Sequence, residues 1–91
     1  MESISLRLNR ETNWIEGKSG KYKFIAKHYD EGSEFGINNG RTSKLWVTDK
    51  NGQCVANYDR GWDVKPATKE LEQIVDDIVS LLETLPKRFS E

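Results

Sequence analysis

Cysteine and histidine are almost missing, with one of each, Cys54 and His28, in 91 residues. A single thiol closes no internal disulfide, which fits a reducing compartment and predicts a cytoplasmic protein. So few soft ligands would leave a structural zinc site dependent on carboxylates, a rare donor set, and no metal or other cofactor is expected. Proline occurs only twice, and no Pro/Ser-rich linker, internal repeat or low-complexity tract divides the chain. Long apolar runs are missing too. Phe24-Ile25-Ala26 and Ile78-Val79 fall far short of the roughly 20 residues that span a bilayer, so no membrane association is expected. The opening Met1-Glu2-Ser3-Ile4-Ser5 carries no apolar stretch of the secretory kind. Nor is there charge of one sign: 14 Lys+Arg face 15 Asp+Glu, which excludes a basic nucleic-acid tail and an acidic brush.

What is present points to one folded domain over 1–91. Three Trp, three Tyr and three Phe supply the buried area that offsets chain entropy. All seven glycines precede Pro66, spaced between short alternating runs as turn punctuation. Residues 13–63 therefore read as antiparallel sheet, residues 66–85 as helix, and residues 1–12 as an N-terminal extension or edge strand.

The clearest hairpin joins 43–48 to 53–59 through Asp49-Lys50-Asn51-Gly52, because Asn-Gly readily adopts the positive φ of a type I′ turn. Its parity puts Leu45 and Val47 on one face with Cys54, Ala56 and Tyr58, the expected core. Upstream, Tyr22, Phe24 and Ala26 alternate with lysines and Ile25. A turn at Glu31-Gly32 then sets His28 opposite Phe35 and Ala26 opposite Ile37, with Asn38-Asn39-Gly40 as a three-residue hairpin and Gly40 left-handed. The runs 4–8 and 13–16 add strands whose faces stay open, since Lys18-Ser19-Gly20 permits two turn lengths. Leu71, Ile74, Val75, Ile78, Leu82 and Leu85 recur at helical spacing, with Pro66 in the first turn and Pro86 at the end. The expected fold is α+β: a four- to five-stranded antiparallel meander with one C-terminal amphipathic helix packed on one face.

Two surfaces are candidates for function. The open face should carry Lys21, Lys23, Lys27, Tyr29, Lys44, Trp46 and Val55, the basic-aromatic mixture that stacks bases and holds phosphates of single-stranded RNA or DNA. The plainer reading of these residues is a solubilised sheet with Trp46 lying on lysine stems and Lys44 paired with Asp59. The second surface is the exit from the last strand, Asn57-Tyr58-Asp59-Arg60-Gly61-Trp62-Asp63. With Arg41, its residues Asp59, Arg60, Trp62 and Asp63 are of hot-spot type and form the candidate protein-binding set. Its plainer reading has Trp62 closing the core end and Arg60 paired with a carboxylate. Residues 67–85 carry five carboxylates against Lys69, a formal −4, either a solvated face or an imitation of a nucleic-acid backbone. A half-covered sheet could also pair with a second copy.

Trp14-Ile15-Glu16-Gly17, Gly32-Ser33-Glu34-Phe35-Gly36-Ile37, Gly40-Arg41-Thr42-Ser43-Lys44-Leu45 and Asn57-Tyr58-Asp59-Arg60-Gly61-Trp62-Asp63 together resemble a small uncharacterised domain of bacterial genomes, phages and other mobile elements, over about residues 14 to 85. The resemblance implies a small accessory protein of mobile elements, of the kind that binds and blocks a host defence enzyme, as anti-CRISPR proteins do. A protein-binding, non-enzymatic role is the leading expectation and single-stranded nucleic-acid binding the alternative. Enzymatic signatures are weak: Gly32–Gly36 lacks the Gly-x-Ser-x-Gly spacing and Gly36–Gly40 the Lys-Ser/Thr ending of a phosphate loop. A metal-dependent phosphodiesterase built on Asp30, Glu31, Glu34, Asp59 and Asp63 ranks third.

Overall fold

Alternation along the first two-thirds of the chain and a 3.6-residue stripe along the last third yield one sheet backed by one helix. The computed structural model describes residues 4–9 and 12–85. Six strands, β1 (Ile4–Leu8), β2 (Trp14–Ser19), β3 (Tyr22–His28), β4 (Thr42–Thr48), β5 (Cys54–Asp59) and β6 (Trp62–Val64), form an antiparallel sheet in sequence order. The expected count of four or five misses β6, which contributes only three residues after a two-residue turn at Arg60-Gly61. Helix α1 (Lys69–Glu83) lies on one face.

The inner face follows the expected parity in its centre. Ile15, Phe24, Ala26, Leu45, Val47, Ala56 and Tyr58 meet Leu71, Val75, Ile78, Val79 and Leu82 in a single core. Full burial of one such aliphatic side chain contributes about 1.5–3 kcal/mol, so the five buried side chains of α1 account for its docking. Thr68 rather than Pro66 opens the helix: its hydroxyl accepts from the Leu71 N–H at 3.1 Å, and Glu70 and Glu72 sit in the first turn, where negative charge suits the exposed N–H groups. Pro66 thus precedes the cap, and Pro86 lies outside the described residues.

The C-terminal end of α1 has no basic residue of its own in the last turn, and the sheet supplies what is missing. Arg41 Nη1 donates to the carbonyls of Glu83 at 3.1 Å and Leu85 at 2.6 Å, while its Nε donates to Tyr29 O at 2.8 Å. Buried His28 places Nε2 at 2.7 Å from Leu82 O, which makes Nε2 the protonated nitrogen, since a carbonyl only accepts. A cation and an N–H donor against the carbonyl end of a helix are favourable both as hydrogen bonds and as charge against the dipole.

Residues 29–41 depart from the expected hairpin. No strand forms there: β3 pairs directly with β4, so Ala26 faces Leu45 and His28 faces Thr42. Phe35 is half exposed, whereas Ile37 is buried within a 3₁₀ turn, Ile37–Asn39. The loop closes on itself through Tyr29 N–H to Arg41 O at 2.9 Å and Ser33 N–H to Gly40 O at 3.1 Å, and the Tyr58 hydroxyl holds it to the sheet at Phe35 O, 2.9 Å. Asn38 and Asn39, not Gly40, take the left-handed conformation, at φ 55 and 60. Glycine is needed at two positions because backbone passes too close: a Cβ on Gly36 would overlap Gly40 O, and one on Gly32 would lie 2.7 Å from Asn39 O.

The β4–β5 turn also differs. Asn51 stays right-handed and only Gly52 is left-handed, at φ 82, while Asp49 Oδ1 accepts from the N–H groups of Asn51 and Gln53 at 2.9 and 3.0 Å. The result is a five-residue loop and a bulge, with Val47 opposite Ala56 but Thr48 opposite Cys54. That extra residue reverses the parity at the strand start. Cys54, expected in the core, is exposed, and Val55, expected outside, packs against the core instead.

Gly36→Ala should lower stability by about 1–3 kcal/mol, the usual cost of forcing atoms into filled space, read as a drop in the urea midpoint. Arg41→Met should cost about 2 kcal/mol through its lost charged hydrogen bonds. Arg60→Ala, at an exposed turn, should stay within about 0.5 kcal/mol in the same assay.

Candidate nucleic-acid interface

The face opposite α1 carries no covering element among the described residues. Register alone sets out its side chains in rows across the strands. The middle row runs Arg7, Glu16, Ile25, Trp46, Asn57 and Val64, each opposite the next. On one side of it lie Trp14, Lys27, Lys44 and Asp59, and on the other Ser5, Lys18, Lys23, Thr48 and Cys54. Trp46 is 53% exposed and Ile25 44%, so two large apolar groups sit side by side in water at the centre of the sheet. Shielding of this kind is normally provided by another element or by a ligand.

Lysines surround that apolar pair. Five cations, Arg7, Lys18, Lys23, Lys27 and Lys44, stand against Glu16 and Asp59 on this face, a formal +3 on a chain whose net charge is −1. Two of the cations are paired, Arg7 to Glu16 at 3.8 Å and Lys44 to Asp59 at 3.7 Å, both solvent-accessible and worth little to stability. Among the described residues Lys18, Lys23 and Lys27 form no ion pair. Lys27 instead lies between two rings, its Nζ 5.8 Å from the centroid of Trp14 and 5.8 Å from that of Tyr29. A shallow groove of about 650 Å³ crosses β1–β4, bounded by Arg7, Lys18, Lys23, Ile25, Trp46 and Thr48, and a hollow of about 290 Å³ adjoins it beside Trp14.

The expected open-face set is thus largely brought together. Lys23, Lys27, Tyr29, Lys44 and Trp46 share the face. Lys21 does not: it occupies the β2–β3 turn and reaches the helix side, with Nζ 3.8 Å from Glu70 Oε1 and 5.5 Å from the Tyr22 ring. Ile25, set outward with the lysines by alternation, joins them, whereas Trp14, Lys18 and Arg7 belong to the face although the sequence leaves the register of β1 and β2 open. The missing signal was Gly20-Lys21: glycine at the first position of a two-residue loop, here at φ 59, pairs Ser19 with Tyr22 and sends Trp14 outward beside Lys27.

The strand-exit set is scattered. Arg41 is tied to the end of α1, Trp62 stacks edge-on against Tyr58 at 5.2 Å and packs on the core, and Asp59 lies between Lys44 and Arg60, the latter at 3.8 Å. Arg60 and Asp63 remain exposed. Among the described residues no group of three or more His, Cys, Asp or Glu side chains is placed to hold a metal ion, and no helix is long and apolar enough to cross a membrane.

No curated protein and no solved structure matches the chain. A family model does, over residues 13–83, a span that takes in β2 to β6, the closed loop and all of α1 but leaves β1 outside. The chain belongs to the family described as Domain of unknown function (DUF7678).

Proposed function

We propose that this protein is a non-enzymatic binding module that receives single-stranded RNA or DNA on the uncovered face of its sheet. The observation that carries this reading is the exposed Trp46–Ile25 pair at the centre of a face bearing three lysines without acidic partners. Bases are flat and apolar on their faces and charged along their backbone, so an aromatic platform ringed by cations meets both demands at once. No base edge need be read, and sequence preference should be weak.

A second reading rests on the same face. Ile25, Trp46 and Val64, all exposed, fall in one row, and such an apolar line would also suit a protein surface. In that case the module is a protein-binding accessory, with inhibition of a host defence enzyme as the role its resemblance to mobile-element proteins implies.

Fluorescence titration with an oligothymidylate separates the two. Binding should quench tryptophan emission, weaken by about tenfold in Trp46→Ala, the usual cost of losing one stacking platform, and fall steeply as salt rises. Lys23→Ala should reduce the salt slope by about one. Absence of binding at low salt, together with nuclease-resistant capture of one protein from bacterial lysate that Trp46→Ala abolishes, would replace this reading with the second.

A further inference from the structure

Trp46 is one of two exposed tryptophans on this face, and the second is placed where it would extend the first. Trp14 pairs across the sheet with Lys27, which pairs with Lys44, two residues before Trp46 on β4. Two strand spacings of about 4.8 Å and a two-residue offset of about 6.6 Å set the two Cα atoms roughly 12 Å apart on a diagonal. Between them lie Ile25, exposed and apolar, and Lys27. The groove beside Trp46 and the hollow beside Trp14 share Arg7, Glu16 and Ile25 in their walls, so the two depressions adjoin at the middle of that diagonal.

We propose, building on the nucleic-acid reading above, that Trp14 and Trp46 are two stacking platforms of one diagonal site and that Lys27 is the phosphate contact between them. The occupant is a short single strand, since it must lie across β4, β3 and β2 rather than along one strand. Charge complementarity favours this occupant: Lys27 has two rings beside it and no carboxylate partner among the described residues. Rings on either side hold the ammonium over the sheet without neutralising it, so its charge remains available to an anion. Glu16 is the one carboxylate in the shared wall. Arg7, at 3.8 Å, offsets it, which keeps the middle of the path from repelling a phosphate.

A strand that touches both platforms must be long enough to reach them, and that gives the test. Labelled oligothymidylates of increasing length, from a dinucleotide upward, are titrated against the full chain by anisotropy. Affinity should rise as the oligomer becomes long enough to bridge the platforms. Trp14→Ala should remove that rise, leaving the shortest oligomer unchanged and weakening the longer ones by about tenfold, while Trp14→Phe should restore most of it. Lys27→Met should weaken every length and flatten the salt dependence, and Glu16→Gln should tighten the longer oligomers several-fold. Circular dichroism of each variant separates loss of contact from loss of fold. If Trp14→Ala binds long oligomers as the native chain does while Trp46→Ala fails to, the second platform is refuted and the open-face reading stands. If the native chain binds no oligomer at low salt, both fall together.

Discussion

The closure of the α1 carboxyl end by side chains from the sheet is the constraint on which the rest depends. A helix without a basic residue in its last turn ends in carbonyls that need donors. Here Arg41 and His28 provide them, from the residue just before β4 and from the end of β3. His28 precedes the 29–41 loop and Arg41 ends it, so the bonds that finish the helix also fix the base of the loop and the bulged start of β4. One end of the helix, the longest connection and the two central strands are therefore set by the same few hydrogen bonds. The opposite face gains from this indirectly: with β3 and β4 held from behind, Ile25 and Trp46 stand on the most firmly braced part of the sheet.

Legibility in the sequence followed the regularity of the backbone. The shared inward face of Tyr22, Phe24, Ala26, Leu45 and Val47, and the stripe from Leu71 to Leu82, follow from the sequence because period two and period 3.6 persist over several residues and one face must be buried. Phe35 and Ile37 misled for the same reason. Their two-residue spacing imitates a strand, but the backbone there is decided by local closure, with Gly32 and Gly36 admitting the chain to itself and Asn38 and Asn39 turning left-handed. Nothing in hydrophobic pattern reports such contacts. Cys54 failed through a single extra residue in β5, which leaves composition untouched while reversing which side chain meets the core.

The candidate face was legible only in part. Its lysines and Trp46 follow from parity within one strand, whereas Trp14 requires the pairing of two strands, and that depends on the turn between them. Arg41 shows the converse. Arginine beside a turn reads as a contact for some other molecule, yet this one is consumed within the fold because α1 supplies no cation of its own.

The two broad surfaces carry opposite charge: the sheet face bears a formal +3, and residues 67–85 a formal −4 that Lys21 and Arg41, both reaching the helix side, reduce to −2. A net charge of −1 conceals this separation. Among the described residues this layout directs a charge moment from the helix side to the sheet face, the orientation that favours a sheet-first approach to a polyanion. Such a bias acts only over a Debye length, about 8 Å at physiological ionic strength, so salt weakens it while leaving the buried core untouched.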